Sequence, residues 1–210
     1  MSRVGVLKAL SACALSGPLL WLSWLVYLDV REPGAGLGAD AGEAVVHFLG
    51  EWSLIALLLA YTVTPLRRLL NFPDLIRIRR LVGLYAFGYV SLHVLSYVAL
   101  YLGFEWRALL EDFVERTYIT AGMGAFICIA AMAATSTRGW QRRLGPSWKR
   151  LHQVVHVALG LALTHLWWLT KDGYAEVLLY SMWFSALGVE RLVVGGRFKP
   201  SRRGAQSLHR

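Results

Sequence analysis

Six histidines have the most specific chemistry in this sequence, because an imidazole can bind a metal or carry a proton near neutral pH. Four of them lie within or against long apolar segments: His93, His152, His156 and His165. An ionisable side chain inside a bilayer is costly and is by default a sign of function. One such histidine would be explained by a hydrogen bond between helices. Three within Leu151–Thr170, and a fourth in another segment, favour a metal site or a proton pathway.

Six charge-free apolar runs must position these histidines. They are Ala9–Leu28, Trp52–Leu66, Leu81–Phe104, Thr117–Thr137, Leu151–Thr170 and Val177–Val189. Because a spanning helix needs roughly 20 largely apolar residues, the two short runs are expected to extend. Helix two then begins near Ala44, and helix six continues to near Val194. The sequence predicts an all-α membrane protein, a bundle of six transmembrane helices.

The composition supports a membrane location. Hydrophobic residues make up 56% of the chain and charged residues 17%, with a mean hydropathy of +0.47, whereas a soluble domain usually carries about 25% charged residues. The net charge of +9 comes from basic residues at the ends of apolar runs, which favours topology over nucleic-acid binding. Cys13 and Cys128 lie inside apolar runs and are expected to be small buried residues. We expect one domain (1–196) without internal repeats, an uncleaved first helix, and a basic cytoplasmic tail (197–210).

The loop charges predict the orientation. Basic residues dominate after helix two (Arg67, Arg68, Arg77, Arg79, Arg80), after helix four (Arg138, Arg142, Arg143, Lys149, Arg150) and in the tail. The alternate loops mix acidic and basic residues. Short basic loops remain on the cytoplasmic side, so both termini are predicted to lie inside the cell.

The depth of the histidines can then be compared, because helices three and five run in the same direction. At 1.5 Å per residue, His93 lies roughly 20 Å beyond Arg80, and His165 lies about 22 Å beyond Arg150. Two imidazoles at one depth on parallel helices can bind one iron from opposite faces of a porphyrin. His93 and His165 are therefore the predicted axial pair of a heme in the outer half of the bilayer.

His152 lacks an equivalent partner. The matching depth on helix three is occupied by Arg79 and Arg80, which cannot be axial ligands. Thirteen residues also leave His152 and His165 roughly 140° apart around an ideal helix. A second, inner heme would need a distorted helix or another ligand, and otherwise His152 has a different role. His156 either substitutes for His152 or is an ordinary core histidine.

Two further sets allow more than one interpretation. Ala86, Ala158 and Ala162 lie below the predicted pair and would admit a flat macrocycle, but small residues also serve close helix packing. His47 and Glu51, four residues apart on helix two, would suit a proton relay, a quinone-binding pair or a plain interfacial polar pair.

Two segments resemble a known family, the ferric-reductase-like transmembrane domain. The first segment, similar to the third helix of that family, is Arg79–Leu84 followed by Tyr89, Leu92, His93 and Tyr97. The second, similar to the fifth helix, is Trp148–His152 followed by His165–Trp167. Thr64–Leu66 and the start His47–Gly50 are most similar to the MsrQ family (formerly YedZ) within that superfamily. The resemblance extends from Gly42 to Arg191.

That resemblance implies a heme-binding subunit of a bacterial inner membrane. It implies b-type heme held by residues matching His93, His152 and His165, and also FMN, for which no residues are assigned. Electrons would come from the quinone pool or a cytosolic flavin reductase. They would pass to MsrP, a periplasmic molybdenum-containing subunit that carries the catalytic site and reduces methionine sulfoxide in oxidised proteins. The outer loops, especially Phe104–Arg116, are the expected docking surface.

Three other functions remain open: a related reductase, a transporter, and a purely structural partner protein. A metalloreductase or quinol-oxidising cytochrome would use the same heme with another acceptor. A small transporter or proton channel would instead use the four histidines as a relay. A transporter usually shows paired, broken helices around a midplane site, and the sequence shows no such internal symmetry.

Overall fold

The computed structural model describes the backbone of residues 2–171 and 173–197 and side chains through Val194. The helices are α1 (Arg3–Arg31), α2 (Ala41–Leu69), α3 (Arg79–Leu100), α4 (Trp106–Glu115), α5 (Thr117–Ala134), α6 (Arg138–Leu144), α7 (Pro146–His152), α8 (Val155–Leu169) and α9 (Ala175–Arg197). A 3₁₀ turn, Pro73–Arg77, precedes α3. The described residues contain no strand, which confirms the all-α prediction.

Polar caps and prolines start several of these helices. The Ser2 hydroxyl accepts the Gly5 backbone N–H at 3.2 Å, and an Asp40 carboxylate oxygen accepts that of Glu43 at 2.8 Å. Such caps satisfy backbone donors that a helix N-terminus leaves free. Pro146 opens α7, where its missing N–H costs nothing.

Among the residues that the structure describes, five helices are long and apolar enough to cross a membrane: Arg3–Arg31, Ala41–Leu69, Pro73–Leu100, Thr117–Ala134 and Ala175–Val194. The α2 helix begins three residues before the predicted Ala44, and α9 continues beyond the predicted Val194. Of the predicted tail, residues 198–210 lie outside the described residues.

The predicted fifth helix is not continuous. It is divided into α7 and α8 at Gln153 and Val154, and α8 has only 15 residues. The hydrogen bonds there are tightened, with Val154 N–H donating to Leu151 O at 3.0 Å. His156 Nδ1 also lies within hydrogen-bond distance of the Gln153 carbonyl oxygen, at 2.7 Å. This contact lies at the break, which hydropathy does not show.

The helices form a bundle in which short connections join antiparallel neighbours. We call the end with the α1–α2, α3–α5 and α8–α9 connections the upper end, and the opposite end the lower end. The main pairs are α2 with α3 and α5 with α8, while α1 packs on α3, and α9 packs on α2 and α8. The fully buried Tyr89 donates from its hydroxyl to Leu15 O at 2.6 Å and so joins α3 to α1.

At the lower end, α9 is held to α2 by charged groups. Arg191 donates to the Tyr61 backbone oxygen at 2.7 Å, and its guanidinium lies 3.7 Å from the centre of the Tyr61 ring. Arg68 and Glu190 form an ion pair at 2.9 Å. These contacts close the lower end of the bundle, while the upper end keeps a cavity.

Candidate metal centre

His93 on α3 and His165 on α8 meet in the upper half of the bundle. Their ring centres are 6.3 Å apart, and the ring planes are inclined at 81°. Two other helices, α2 and α5, provide the backbone against which the rings rest. The structure therefore brings together the two histidines that the depth comparison paired.

Each ring is oriented by a backbone carbonyl. His93 Nδ1 lies 2.9 Å from Val46 O, and His165 Nδ1 lies 2.7 Å from Tyr118 O. A carbonyl oxygen can only accept a hydrogen bond, so Nδ1 must carry the proton in both rings. That leaves Nε2 of each imidazole with a lone pair. Metal-ligating histidines usually show this pattern, in which the second nitrogen donates to a carbonyl that fixes the tautomer.

A glycine lies under each ring. A Cβ at Gly50 would be 3.0 Å from Cε1 and Nδ1 of His93, and a Cβ at Gly122 would be 2.9 Å from Nδ1 of His165. Real Cβ atoms do not approach so closely without moving a neighbour. Glycine at these two positions therefore lets each ring lie directly against the neighbouring helix.

The two halves of the centre repeat one arrangement. In each, a carbonyl residue is followed four residues later by the glycine and 47 residues later by the histidine. The second copy follows the first by 72 residues (165 less 93, 122 less 50, 118 less 46). No internal repeat was expected from the sequence; Gly50 was noted only as part of the motif His47–Gly50, and Gly122 was not noted. The signal that would have revealed them is a glycine 43 residues before each histidine.

A cavity of about 590 Å³ adjoins both rings. Its walls are mainly apolar, with Leu54, Val90, Ala125, Ile129, Ala162 and Leu166 among them. Polar groups line its upper part: His47, Glu51, Arg116, Lys171, Glu176 and Tyr180. The Tyr118 hydroxyl accepts a hydrogen bond from Arg116 at 3.3 Å and raises the pKa of that guanidinium.

The spacing of the rings fits one metal between them. Metal–imidazole bonds are about 2 Å long, and each ligating nitrogen lies roughly 1 Å from its ring centre by the covalent geometry of the ring. A metal bound on both sides would thus put the ring centres about 6 Å apart, close to the observed 6.3 Å. The volume lies within the range of roughly 300–1,000 Å³ typical of small-ligand sites. The residues present fit a heme held by two histidines.

Comparison with known proteins places the chain. Residues 49–163 match the family described as "Ferric reductase like transmembrane component". The chain is also similar to relatives named "Protein-methionine-sulfoxide reductase heme-binding subunit MsrQ". The relative from Caulobacter vibrioides is 40% identical over 86% of this chain and 83% of its own length. That from Xanthomonas campestris pv. campestris is 38% identical over 92% of this chain and 87% of its own. The chain belongs to the MsrQ family. The predicted resemblance is confirmed, and the chain is a membrane protein.

The other histidines that the sequence singled out in this MsrQ-family chain lie elsewhere. The His152 ring stacks on Trp148 with centres 4.0 Å apart, and its Nδ1 lies 3.2 Å from Trp148 O, at the lower end. The exposed His156 meets the buried Tyr61 ring edge-on at 5.4 Å. Within residues 2–171 and 173–194, no cluster of three or more His, Cys, Asp or Glu side chains could hold a metal. The structure joins neither histidine to the upper pair.

His47 and Glu51 both line the cavity but have different partners. His47 Nδ1 lies 4.0 Å from a Glu43 oxygen, and Glu51 accepts a hydrogen bond from the Tyr180 hydroxyl at 2.9 Å. The predicted pairing of His47 with Glu51 is therefore replaced by one contact within α2 and another between α2 and α9.

The three alanines noted in the sequence have two different roles, lining the cavity and packing helices together. Ala162 lines the cavity, as expected of a residue that admits a flat ligand. Ala86 and Ala158 are fully buried in the helix-packed core and do not line it, so they serve close packing.

Proposed function

We propose that this chain is the heme b-binding, membrane-embedded electron-transfer subunit of a bacterial methionine-sulfoxide reductase system. One observation carries the proposal: two imidazoles 6.3 Å apart, each with Nδ1 bonded to a backbone carbonyl. Its relatives named as heme-binding subunits over most of the chain support it.

In this proposal His93 and His165 are the axial ligands. Val46 and Tyr118 hold the protons on Nδ1, so that each Nε2 is offered to iron without competition from hydrogen bonding. The apolar walls of the cavity exclude water and set the low-polarity surroundings on which a potential depends. A heme bound there supplies a one-electron carrier.

His152 is proposed as an inner ligand or as an accessory to electron entry. Its ring is already oriented by stacking on Trp148. The helix breaks between α7 and α8, directly after His152, and a distorted helix in this segment is one of the conditions for an inner ligand. Arg79 and Arg80 face the same level on α3, so a partner imidazole would have to come from elsewhere.

The proposed topology has six spans with both termini in the cytoplasm. The α8 helix would be the fifth span in chain order, with the break before it lying near the inner surface. Its 15 residues reach about 22 Å, less than the roughly 30 Å of a bilayer core, so α7 must complete the crossing. The basic lower loops support this orientation, with the upper end facing the periplasm.

Electrons would enter from the quinone pool or a cytosolic flavin reductase and leave at the upper end to a periplasmic molybdenum-containing partner, MsrP. FMN, which the family implies, is part of the proposal without assigned residues. The catalytic site for methionine sulfoxide would lie on the partner. This chain would supply the heme ligands, apolar surroundings for the heme, and a path for electrons through the membrane.

A histidine relay for transport is less well supported by the geometry. The nine residues from His156 to His165 rise about 13 Å along α8, too far for direct proton transfer. His156 also points toward Tyr61 instead of the upper pair.

The test is an absorption and electron paramagnetic resonance (EPR) spectrum of the purified chain, oxidised and then reduced with dithionite. We expect a low-spin bis-histidine heme b. His93→Ala and His165→Ala should each lose that signal, while the control His156→Ala keeps it. Full heme retention by both ligand variants would refute the assignment. Reduced chain mixed with purified MsrP and methionine sulfoxide then tests the acceptor, since reoxidation should require the partner.

A further inference from the structure

The short helix α4 carries an exposed apolar stripe. Trp106, Leu110 and Val114 occur at every fourth position and are 71%, 67% and 80% exposed. Arg107, Glu111 and Glu115 form a second row, also exposed. At about 100° per residue, Leu110 and Glu115 lie roughly 140° apart around the helix. Helix α4 is therefore amphipathic, and its apolar side does not face the protein core.

Contacts on its remaining side fix the rotation of α4. The Tyr97 hydroxyl of α3 donates to Asp112, which also pairs with Arg116 at 3.0 Å. The Thr120 hydroxyl of α5 donates to Phe113 O at 2.8 Å. Leu109 lines the cavity. Because these groups hold the bundle-facing side, the stripe must point away from the bundle.

Exposed apolar residues also precede α4 along the chain, on the last part of α3 and just after it. Leu95, Leu100 and Phe104 are 52%, 56% and 56% exposed, and they precede α4 on the chain and lead to it. On a membrane-spanning helix such exposed leucines face lipid. Trp106 begins α4 six residues after α3 ends, at the level where tryptophans prefer the bilayer surface.

We propose that α4 lies along the bilayer surface at the upper end, with Trp106, Leu110 and Val114 in the acyl boundary and Glu115 in water. A short helix with a strong apolar face and low overall hydrophobicity is typical of this placement. The occupant of the stripe is lipid, because α4 connects two helices that are long and apolar enough to cross a membrane, Pro73–Leu100 and Thr117–Ala134, and so must lie at the bilayer surface. Phe104–Arg116, expected from sequence to be a docking loop, would then use this face for membrane contact.

The placement has a consequence for the metal centre. Leu109 and Arg116, at the bundle-facing side and the end of α4, line the cavity. If α4 is bound to the lipid surface, Leu109 and Arg116 stay in place at the cavity whether or not the cavity is filled. The inference thus does not depend on the proposed function, and it is testable without bound heme.

The experiment uses the full chain in lipid nanodiscs, with Cys13 and Cys128 replaced by Ala. A nitroxide is attached at Leu110→Cys, Val114→Cys or Glu115→Cys, and EPR power saturation compares collisions with oxygen and with a water-soluble nickel chelate. Leu95→Cys, on the exposed side of α3, is the lipid-facing control. Each variant is first checked for a monodisperse elution profile.

We expect the labels at positions 110 and 114 to behave like the label at 95, with oxygen access exceeding nickel access several-fold. The label at 115 should show the reverse. If 110 and 114 are as accessible to nickel as 115, the stripe faces water and the proposal is overturned. Shielding of 110 and 114 from both reagents would overturn it too, because a second copy of the chain would then cover the stripe.

Discussion

Gly122→Ala should weaken heme binding by displacing the His165 ring, without replacing either proposed ligand. The added methyl carbon would lie 2.9 Å from Nδ1, 3.1 Å from Cε1 and 3.3 Å from Cγ of that ring. Favourable contact begins near 3.5 Å, so the ring must retreat by roughly half an ångström or more. The bond from Nδ1 to Tyr118 O, now 2.7 Å, would then approach or exceed the usual limit of about 3.2 Å.

The loss of heme-binding free energy in Gly122→Ala can be bounded from these contacts. Weakening that hydrogen bond forfeits about 0.5–1.5 kcal/mol, and an off-rotamer imidazole costs about 0.5–1.5 kcal/mol more. Together they amount to about 1–3 kcal/mol, or roughly 5- to 150-fold in affinity. Mutating groups that orient a metal ligand typically costs 10–100-fold, which agrees. Gly50→Ala should act alike on His93, since its methyl would lie 3.0 Å from two ring atoms.

The assay is heme titration into the apoprotein, followed by low-temperature EPR of the oxidised form. Gly160→Ala and Gly88→Ala are matched controls on α8 and α3, because a Cβ there meets nothing within 4 Å. We expect both controls to bind heme as the parent chain does, and Gly122→Ala to show weaker binding and shifted low-spin g values. Parental affinity and g values in Gly122→Ala would refute the role of close ring–helix contact.

Three further predictions concern the surroundings of the centre. Arg191→Gln removes a cation over Tyr61 and a charge-assisted hydrogen bond. It should reduce the free energy of unfolding by about 1–3 kcal/mol and lower the melting temperature, while the heme spectrum stays unchanged. Loss of the heme spectrum would contradict this prediction. Tyr180→Phe removes the donor to Glu51 and should cost about 1 kcal/mol in thermal unfolding without heme loss; an unaltered melting temperature would show that the bond contributes nothing. His152→Ala should keep the low-spin signal of the upper pair, and its complete loss would mean that the signal was wrongly assigned.

The long helices could be predicted because their cause is composition: an apolar run of sufficient length forms a helix in lipid wherever it occurs. The meeting of His93 and His165 could be predicted because two helices with the same direction and rise bring equal depths together. The break at Gln153 could not, since it lies inside an apolar run and is marked only by local contacts such as that of the His156 ring with the Gln153 carbonyl. Helix α4 was interpreted as a loop because its 10 residues are too few, and too polar on one side, for a spanning helix.

The repeat was missed for a different reason. Each copy consists of one backbone carbonyl, which any residue supplies, and only two shared identities, a glycine and a histidine. Extending the 72-residue offset to the lower end pairs His152 with the exposed Arg80, so the copies agree at the upper level and differ at the lower one. A carbonyl, a glycine and an imidazole from each copy together form the proposed heme site between the α2–α3 and α5–α8 pairs. At the lower level the second copy has His152 where the first copy has Arg80, so His152 has no partner imidazole at its own depth on α3.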